Sequence, residues 1–284
     1  MFKIIVNIMS AMIDLHNHSY YSDGVLSPSE VVRLAKNSNC EVFALTDHDT
    51  TDGLDEAQKE ADNQNINLIH GVEISAMWSN MTIHIVGLKV DKSNPVLQAG
   101  LKRHQDFRQL RAEKMARGLG GAGVYNALEK TQALTKGGMV TRTHFAQMLI
   151  QEGVCKDMKS VFRRFLTGKK PGGVGGQWAQ FDEVISWIHS AGGVAVLAHP
   201  LRYRMTNTKI QRMFSHLSNA GLDGVEIVTA HSSDEEITRV SKWADDYNLR
   251  YSCGSDYHGW GNQRVQIGRL KDFLNMDKAI WKAW

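Results

Sequence analysis

Histidines and carboxylates stand at the ends of several short apolar runs in this sequence. Residues 12–15 lead into Asp14-Leu15-His16-Asn17-His18, with Asp23 in the loop beyond. Side chains two apart on a strand face the same way, so His16 and His18 can grip one cation. Residues 42–45 lead into Thr46-Asp47-His48-Asp49, and residues 66–69 into Gly71-Val72-Glu73. His84 lies inside the run 82–88. His199-Pro200 follows 194–198, and Ser255-Asp256-Tyr257-His258 follows 249–253. A lone histidine after a strand is more often a hydrogen-bonded structural residue. Nine candidates at successive strand ends (His16, His18, Asp23, His48, Glu73, His84, His199, Asp256 and His258) ask for a different explanation. Imidazole mixed with carboxylate, without thiolate, suits manganese, zinc or iron better than calcium or a structural zinc. The three cysteines, Cys40, Cys155 and Cys253, form no CxxC pair and add no ligand set.

Elements must bring these residues together. Residues 28–36 and 53–63 have helical character, the first opened by Ser27-Pro28-Ser29-Glu30, a capping serine before proline. A further strand is expected at 224–228. Strand alternating with helix points to a parallel sheet. Seven strands with polar residues gathered at their C-terminal ends favour a closed or nearly closed barrel, the edge on which such enzymes build active sites. The span from about 90 to 193 is too long for one βα connection. It is read as an inserted, mainly helical subdomain with helices near 107–119, 143–152 and 156–166. Glycine-rich turns at 118–123 and 137–138 separate them, and a glycine-rich loop at 168–176 ends it. The expected fold is therefore α/β, a distorted (β/α)7 barrel at 12–98 and 179–284 with a helical cap at 99–178.

The 284 residues carry a net charge of +3, unevenly distributed. Residues 101–176 hold fifteen Lys/Arg against five Asp/Glu, while the remainder is net acidic. A basic module beside an acidic, cation-loaded one suits a polyanionic substrate, although basic helices often only solvate a surface. Composition excludes a disordered chain, and no apolar run reaches the ~18 residues of a membrane span. Residues 1–11 are too short for a signal peptide, with Met9 or Met12 as alternative starts. Odd, unpaired cysteines fit a reducing cytoplasm.

The ordered motifs HxH, a following Asp, TDHD, GVE, an isolated His, AHP and SDxH resemble the polymerase and histidinol phosphatase (PHP) family, over the stretch 13–259. That resemblance implies a trinuclear metal centre. The first ion would take His16, His18, Glu73 and Asp256; the second would share Glu73 and add His84 and His199; the third would take Asp23, His48 and His258. Three divalent ions are implied, manganese first, with zinc, iron or magnesium as alternatives. Thr141-Arg142-Thr143-His144-Phe145-Ala146, Gln177-Trp178-Ala179 and His199-Pro200-Leu201-Arg202-Tyr203 resemble the branch of nucleoside 3′,5′-bisphosphate phosphatases and 5′-to-3′ exoribonucleases. The implied activity is removal of the 3′-phosphate of such bisphosphates, or stepwise hydrolysis of short 5′-phosphorylated RNA from its 5′ end. Arg142, His144 and Arg202 are the expected substrate contacts. The stretch 172–176 is richer in glycine than that branch leads one to expect.

A histidinol-phosphate-type phosphatase is the alternative within the family, disfavoured by the basic insertion. A metal-dependent amidohydrolase is the alternative from another class, and it usually lacks TDHD and SDxH. A non-catalytic nucleic-acid or metabolite-binding module is disfavoured by the complete ligand set. No membrane association and no obligate protein partner are expected. Asp47 is expected to orient a metal-bound imidazole. Glu226 is given a structural role, His70, His104, His189, His216 and His231 structural or surface roles, and Trp178 is the tryptophan to test for base stacking.

Overall fold

The structure, a computed structural model, describes residues 12–260, 265–273 and 275–284; the expectations for residues 1–11 lie outside these. Seven strands, β1 (Met12–Asp14), β2 (Cys40–Leu45), β3 (Asn67–Trp78), β4 (Met81–Leu88), β5 (Val194–Leu197), β6 (Gly224–Thr229) and β7 (Arg250–Gly254), form one sheet in sequential order. The helices are α1 (Pro28–Asn37), α2 (Leu54–Gln64), α3 (Pro95–Gly121), α4 (Ala127–Gln132), α5 (Arg142–Gln151), α6 (Met158–Val161), α7 (Phe181–Ser190), α8 (Asn207–Asn219) and α9 (Asp234–Asp246). A π-turn at Phe162–Leu166 continues α6. Ser27 and Glu30 close a reciprocal capping box on α1, at 3.2 and 2.7 Å.

The sheet is mostly, not wholly, parallel: β4 runs antiparallel to both β3 and β5. The cause is local. Ser79 and Asn80 both adopt positive φ, 46° and 61°, the two-residue turn that folds β3 back into β4 as a hairpin. β3 is also longer than expected. It pairs with β2 through Asn67–His70 and then with β4 from Gly71 to Trp78. Glu73 therefore lies within a strand instead of ending one. Alternation does the sorting here. Val72, Ile74, Ala76, Ile83 and Ile85 face the larger core under the helices, whereas Val86 and Leu88 join Leu15, Ala44, Val196 and Ala198 in a second buried cluster. Glu73, paired with Val86, shares that second face. Beyond β1 and β7 the chain continues side by side. Leu15 N–H donates to Cys253 O at 3.1 Å, Asp256 N–H to His16 O at 2.9 Å and His18 N–H to Tyr257 O at 2.9 Å.

Between β4 and β5 the chain is helical. α3 has 27 residues and runs through Gly118, Gly120 and Gly121, where glycine suggested a turn. Gly118 is needed for contact: a Cβ there would lie 1.8 Å from Pro171 O. The first half of α3 packs into the core under the sheet through Leu97 and Leu101, with Gly100 against the Trp187 ring. Its second half supplies Ala112, Met115 and Leu119 to another core with Phe145, Leu149, Val161 and Leu166. Position 99 thus falls inside one continuous helix. Among the described residues no helix is long and apolar enough to cross a membrane.

Candidate metal centre

The nine candidate ligands meet at one edge of the sheet. His16 and His18 follow β1, and their Nε2 atoms lie 3.2 and 3.3 Å from the same oxygen, Glu73 Oε2. His48, just past β2, bridges in parallel register to Glu73, with Nδ1 at 2.8 Å from Oε2. His84 Nδ1 and His199 Nε2 approach the other Glu73 oxygen at 2.9 and 3.0 Å. Asp256 Oδ1 is 3.1 Å from His18 Nε2, and Asp23 Oδ1 is 3.2 Å from His258 Nε2. Donor atoms fall into three groups, each within 4.8 Å: His16, His18, Glu73 and Asp256; His18, Asp23, His48 and His258; and His48, Glu73 and His84. Two details differ from the grouping the resemblance implied. His18 also joins the Asp23 group, and His48 takes the place of His199 beside Glu73 and His84.

Some of these contacts are hydrogen bonds, His18 to Asp256 and His84 and His199 to Glu73 Oε1; other donor atoms converge without one. His16 Nε2, Asp23 Oδ1, His48 Nδ1 and Glu73 Oε2 are buried and have no partner of acceptable geometry among the described residues. Lone pairs converging on common points give that signature, and the oxygen and nitrogen donors fit divalent transition cations. The electrostatics agree. Burial alone would push the Glu73 carboxyl up, but His48, His16 and His84 outweigh it and hold it well below the carboxylate range. Burial disfavours charge on His18, yet its hydrogen bonds to Asp256 and Glu73 raise it to about 10. The same balance, with Glu226 foremost, holds His16 well above an ordinary imidazole. Carboxylates in this site favour a cation, a proton or a metal.

Around this centre the structure redistributes several roles. Asp47 makes no hydrogen bond to an imidazole among the described residues: it accepts from Ser19 N–H at 2.7 Å and from the Ser19 and Ser22 hydroxyls at 2.6 Å, which shapes the loop carrying Asp23, and Ser22 Oγ stands 3.4 Å from His18 Nδ1. Glu226 orients the histidines instead. Its Oε1 lies 2.6 Å from His16 Nδ1, and its Oε2 accepts from His199 N–H at 2.7 Å. It lies inside β6, as Glu73 lies inside β3, and a buried acid within an apolar strand is the signal that could have found it. Asp49, His199 and Asp256 all adopt positive φ (51°, 32° and 55°), conformations uncommon for these residue types.

Asp49 is the second hub. It accepts from Ser75 N–H and Oγ–H at 2.8 and 2.9 Å and from Arg108 Nε–H at 2.8 Å, with His104 Nδ1 at 3.0 Å. His104 in turn accepts from Ala179 N–H at 3.0 Å through Nε2, so it is structural. Arg108 and Arg111, three apart on α3, both lie over the ring of Trp178. Trp178 is only 6% exposed and packs edge-on against Phe107 and His104; it supports arginines and offers no face to a base. Arg111 Nη2 is buried without a partner among the described residues. Burial, then the neighbouring Arg142 and Arg108, press its pKa down to about 8, which still leaves it cationic at neutral pH. Arg108, Arg111 and Arg142 therefore form one basic cluster, of which sequence reasoning had found only Arg142. Their spacing on α3 was the available signal.

Arg202, on the 3-10 turn Pro200–Tyr203, donates to Asp256 Oδ2. Together with Thr143, Asp256, His258 and Trp260 it lines a cleft of about 410 Å³ over the ligand cluster. His144 caps α5: its backbone N–H donates to Thr141 Oγ1 at 3.4 Å, and its ring Nδ1 accepts from Thr141 N–H at 3.2 Å. His70 meets Gln58 at 2.9 Å, His189 meets Asp223 at 2.8 Å and His216 accepts from Trp78 at 3.3 Å, all away from the centre.

Residues 14–98 match the PHP domain. A 3′,5′-nucleoside bisphosphate phosphatase of Chromobacterium violaceum is 40% identical over 96% of this chain and 96% of its own length. A 5′-3′ exoribonuclease of Haemophilus influenzae is 38% identical over 97% of this chain and its entire length, 100%. Among solved structures, an amidohydrolase from Chromobacterium violaceum, with sulfate and no metal bound, superimposes with a TM-score of 0.91 at 40% identity, covering 96% of this chain and 95% of that one. A likeness that spans nearly the whole chain, around a centre built from the same strand-end motifs, places this protein in the PHP family.

Proposed function

We propose that the protein is a metal-dependent phosphoesterase that hydrolyses nucleoside 3′,5′-bisphosphates at the 3′-phosphate, and short 5′-phosphorylated RNA stepwise from the 5′ end. The observation that carries the reading is the pairing of two unlike sites: a cluster of eight grouped ligands with His199 against Glu73 and, beside it, the arginines Arg108, Arg111 and Arg142 with a guanidinium nitrogen that is buried and without a partner among the described residues. A single phosphate needs only the first. The relatives' names point the same way, one acting on bisphosphates and one on RNA.

His16, His18, Glu73 and Asp256, with Asp23, His48, His84, His199 and His258, would hold up to three divalent ions, manganese first. Such ions supply Lewis acidity and bring the pKa of water from ~15.7 toward ~7. The chain's own groups do the rest. Glu226 keeps the His16 ring oriented, Arg202 faces the phosphoryl group from the Asp256 side, and Arg142 with the α3 arginines grips the second phosphate through forked, charge-assisted hydrogen bonds. His144 is assigned to the same mouth, held in place by its cap. We read the sheet as a distorted seven-stranded barrel, supported by the hydrogen bonds between the chain beyond β1 and beyond β7. Residues 99–178 are read as the cap on its open end, supported by the separate apolar core that residues within 112–174 form.

The test is a hydrolysis screen with Mn²⁺ on a nucleoside 3′,5′-bisphosphate, the matching monophosphate, a 5′-phosphorylated RNA trimer and histidinol phosphate. Preference for the bisphosphate and the RNA is expected. Equal rates on monophosphate and bisphosphate, or preference for histidinol phosphate, would overturn the reading.

A further inference from the structure

One charged surface has no part in the centre. Residues 156–170 contain six Lys/Arg and a single acid, Asp157. Asp157 accepts from Ser160 N–H at 2.7 Å as the cap of α6. Lys156, Lys159, Arg163, Arg164, Lys169 and Lys170 are all exposed. None has a carboxylate within ion-pair distance among the described residues. Elsewhere on the surface such partners are common: Lys92 has Asp55, Arg103 has Glu183, Lys130 has Glu152, Lys271 has Asp234 and Lys278 has Asp245. Six like charges set against one acid, Asp157, which feels Lys156 and Arg163, cost self-repulsion in the free protein, which an external polyanion would relieve.

The patch is also joined to the mouth of the site. The segment after the π-turn folds back on α3, where Pro171 O packs over Gly118 and Gly172 N–H donates to Phe165 O at 2.8 Å. The glycine-rich stretch then passes Arg111, whose Nε–H donates to Val174 O at 3.2 Å. Gly118 could bear no side chain without displacing this loop. From Arg111, the nearer of the two cluster arginines on α3, to Gly118 is seven residues of helix, or roughly 10 Å. A stacked strand advances ~3.4 Å per nucleotide, so the patch begins about three nucleotides from the arginine cluster.

We infer that the surface formed by residues 156–170 is a track for the phosphodiester backbone of single-stranded RNA, beyond the nucleotides held at the centre. The inference rests on the exoribonuclease side of the functional reading. It also accounts for the unusual glycine-rich loop, which lets the basic segment lie flat against α3. The contacts are to phosphates, so the track reads length and charge and is indifferent to sequence.

The experiment uses Mn²⁺-loaded enzyme with the four changes Lys159→Gln, Arg163→Gln, Lys169→Gln and Lys170→Gln. A second variant with Lys159, Lys169 and Lys170 changed to Arg keeps the charge. Substrates are the nucleoside bisphosphate, a 5′-phosphorylated RNA trimer and a 5′-phosphorylated dodecamer. On the bisphosphate and trimer, kcat/KM should stay at the wild-type level in both variants, which also shows that each is folded. On the dodecamer the Gln variant should raise KM roughly tenfold or more at low salt, with kcat unchanged, and the Arg variant should not. The slope of log KM against log salt should flatten by up to ~2.8, at ~0.7 per phosphate contact removed. A wild-type KM for the dodecamer in the Gln variant, or an equal loss on bisphosphate and dodecamer, overturns the track. Wild-type enzyme inert on both RNAs but active on the bisphosphate removes the RNA reading as well, a result distinct from loss through the patch alone.

Discussion

Replacing Glu226 by glutamine tests how the centre is held. Glu226 is buried and accepts at both oxygens, from His16 Nδ1–H at 2.6 Å and from His199 N–H at 2.7 Å. Glutamine has one acceptor and one donor. If its oxygen stays with His199, the amide nitrogen faces His16 Nδ1 and forces the proton to Nε2, the atom aimed at Glu73 and the cation position. If its oxygen stays with His16, the amide meets the His199 N–H donor to donor. Either way one ligand is wrongly presented. Carboxylates behind metal-bound histidines typically contribute 10–100-fold in metal affinity, or about 1.4 to 2.7 kcal/mol. The assay is Mn²⁺ titration against a competing chelator, with kcat/KM measured at saturating and at limiting metal. The variant should need 10–100-fold more Mn²⁺ for half-maximal activity and recover part of its rate when saturated. An unchanged metal requirement would deny Glu226 this orienting role and return it to a purely structural one.

Four further outcomes follow from the same structure. Asp49→Ala leaves buried Arg108 and His104 without their carboxylate, and urea unfolding should show about 3–5 kcal/mol lost; wild-type stability would mean the network relaxes around the gap. Arg142→Ala and Arg202→Ala should keep metal content yet lose about ten- to over a hundredfold in kcat/KM on a bisphosphate, with Arg202→Ala losing as much on an aryl phosphate and Arg142→Ala much less; equal losses on the two substrates in Arg142→Ala would deny Arg142 a second phosphate. Chelation, or His48→Ala or Asp256→Ala, should abolish hydrolysis, with Mn²⁺ restoring only the chelated wild type; metal-free activity would sink the metal assignment. Because Asp256 and Glu73 raise His18 from 6.5 to about 10, its share of stability in protein stripped of metal is full below about pH 6.5 and is lost as pH rises toward 10. Metal-free protein should therefore lose stability over that range and show tighter metal uptake, since binding expels the protons; a flat profile would contradict it.

Much of the centre was legible because strand-end motifs report on position. A residue after an apolar run sits at a sheet edge whichever way the neighbouring strand runs, so His16, His48, His199 and Asp256 could be placed without knowing the topology. Antiparallel β4 was not legible from the run 82–88. Its direction depends on the left-handed turn at Ser79-Asn80, a pair without glycine and so a weak turn signal. Glu226 and Asp49 were visible as residues but not as roles. A carboxylate behind an imidazole and one in front of it look alike until distances exist. Arg108 and Arg111 lay inside a long basic helix where most cations are exposed, and only packing against Trp178 separates these two from the rest.

The continuity of α3 bears on how this architecture can be taken apart. One helix, about 40 Å long at ~1.5 Å per residue, is shared by two cores, with Gly100 fitted to Trp187 at one end and Gly118 to Pro171 at the other. A graft that exchanges the cap for that of another protein cannot cut near residue 99, because the donor helix would have to reproduce both the register and the rotation of those two glycine contacts. The workable junction lies ahead of Asn94, whose side chain caps the helix, so that α3 travels whole. The Asp49–Arg108 pair then becomes the docking pin of the exchanged piece, and a donor helix lacking an arginine at that turn would leave the Asp49 carboxylate buried without its strongest partner.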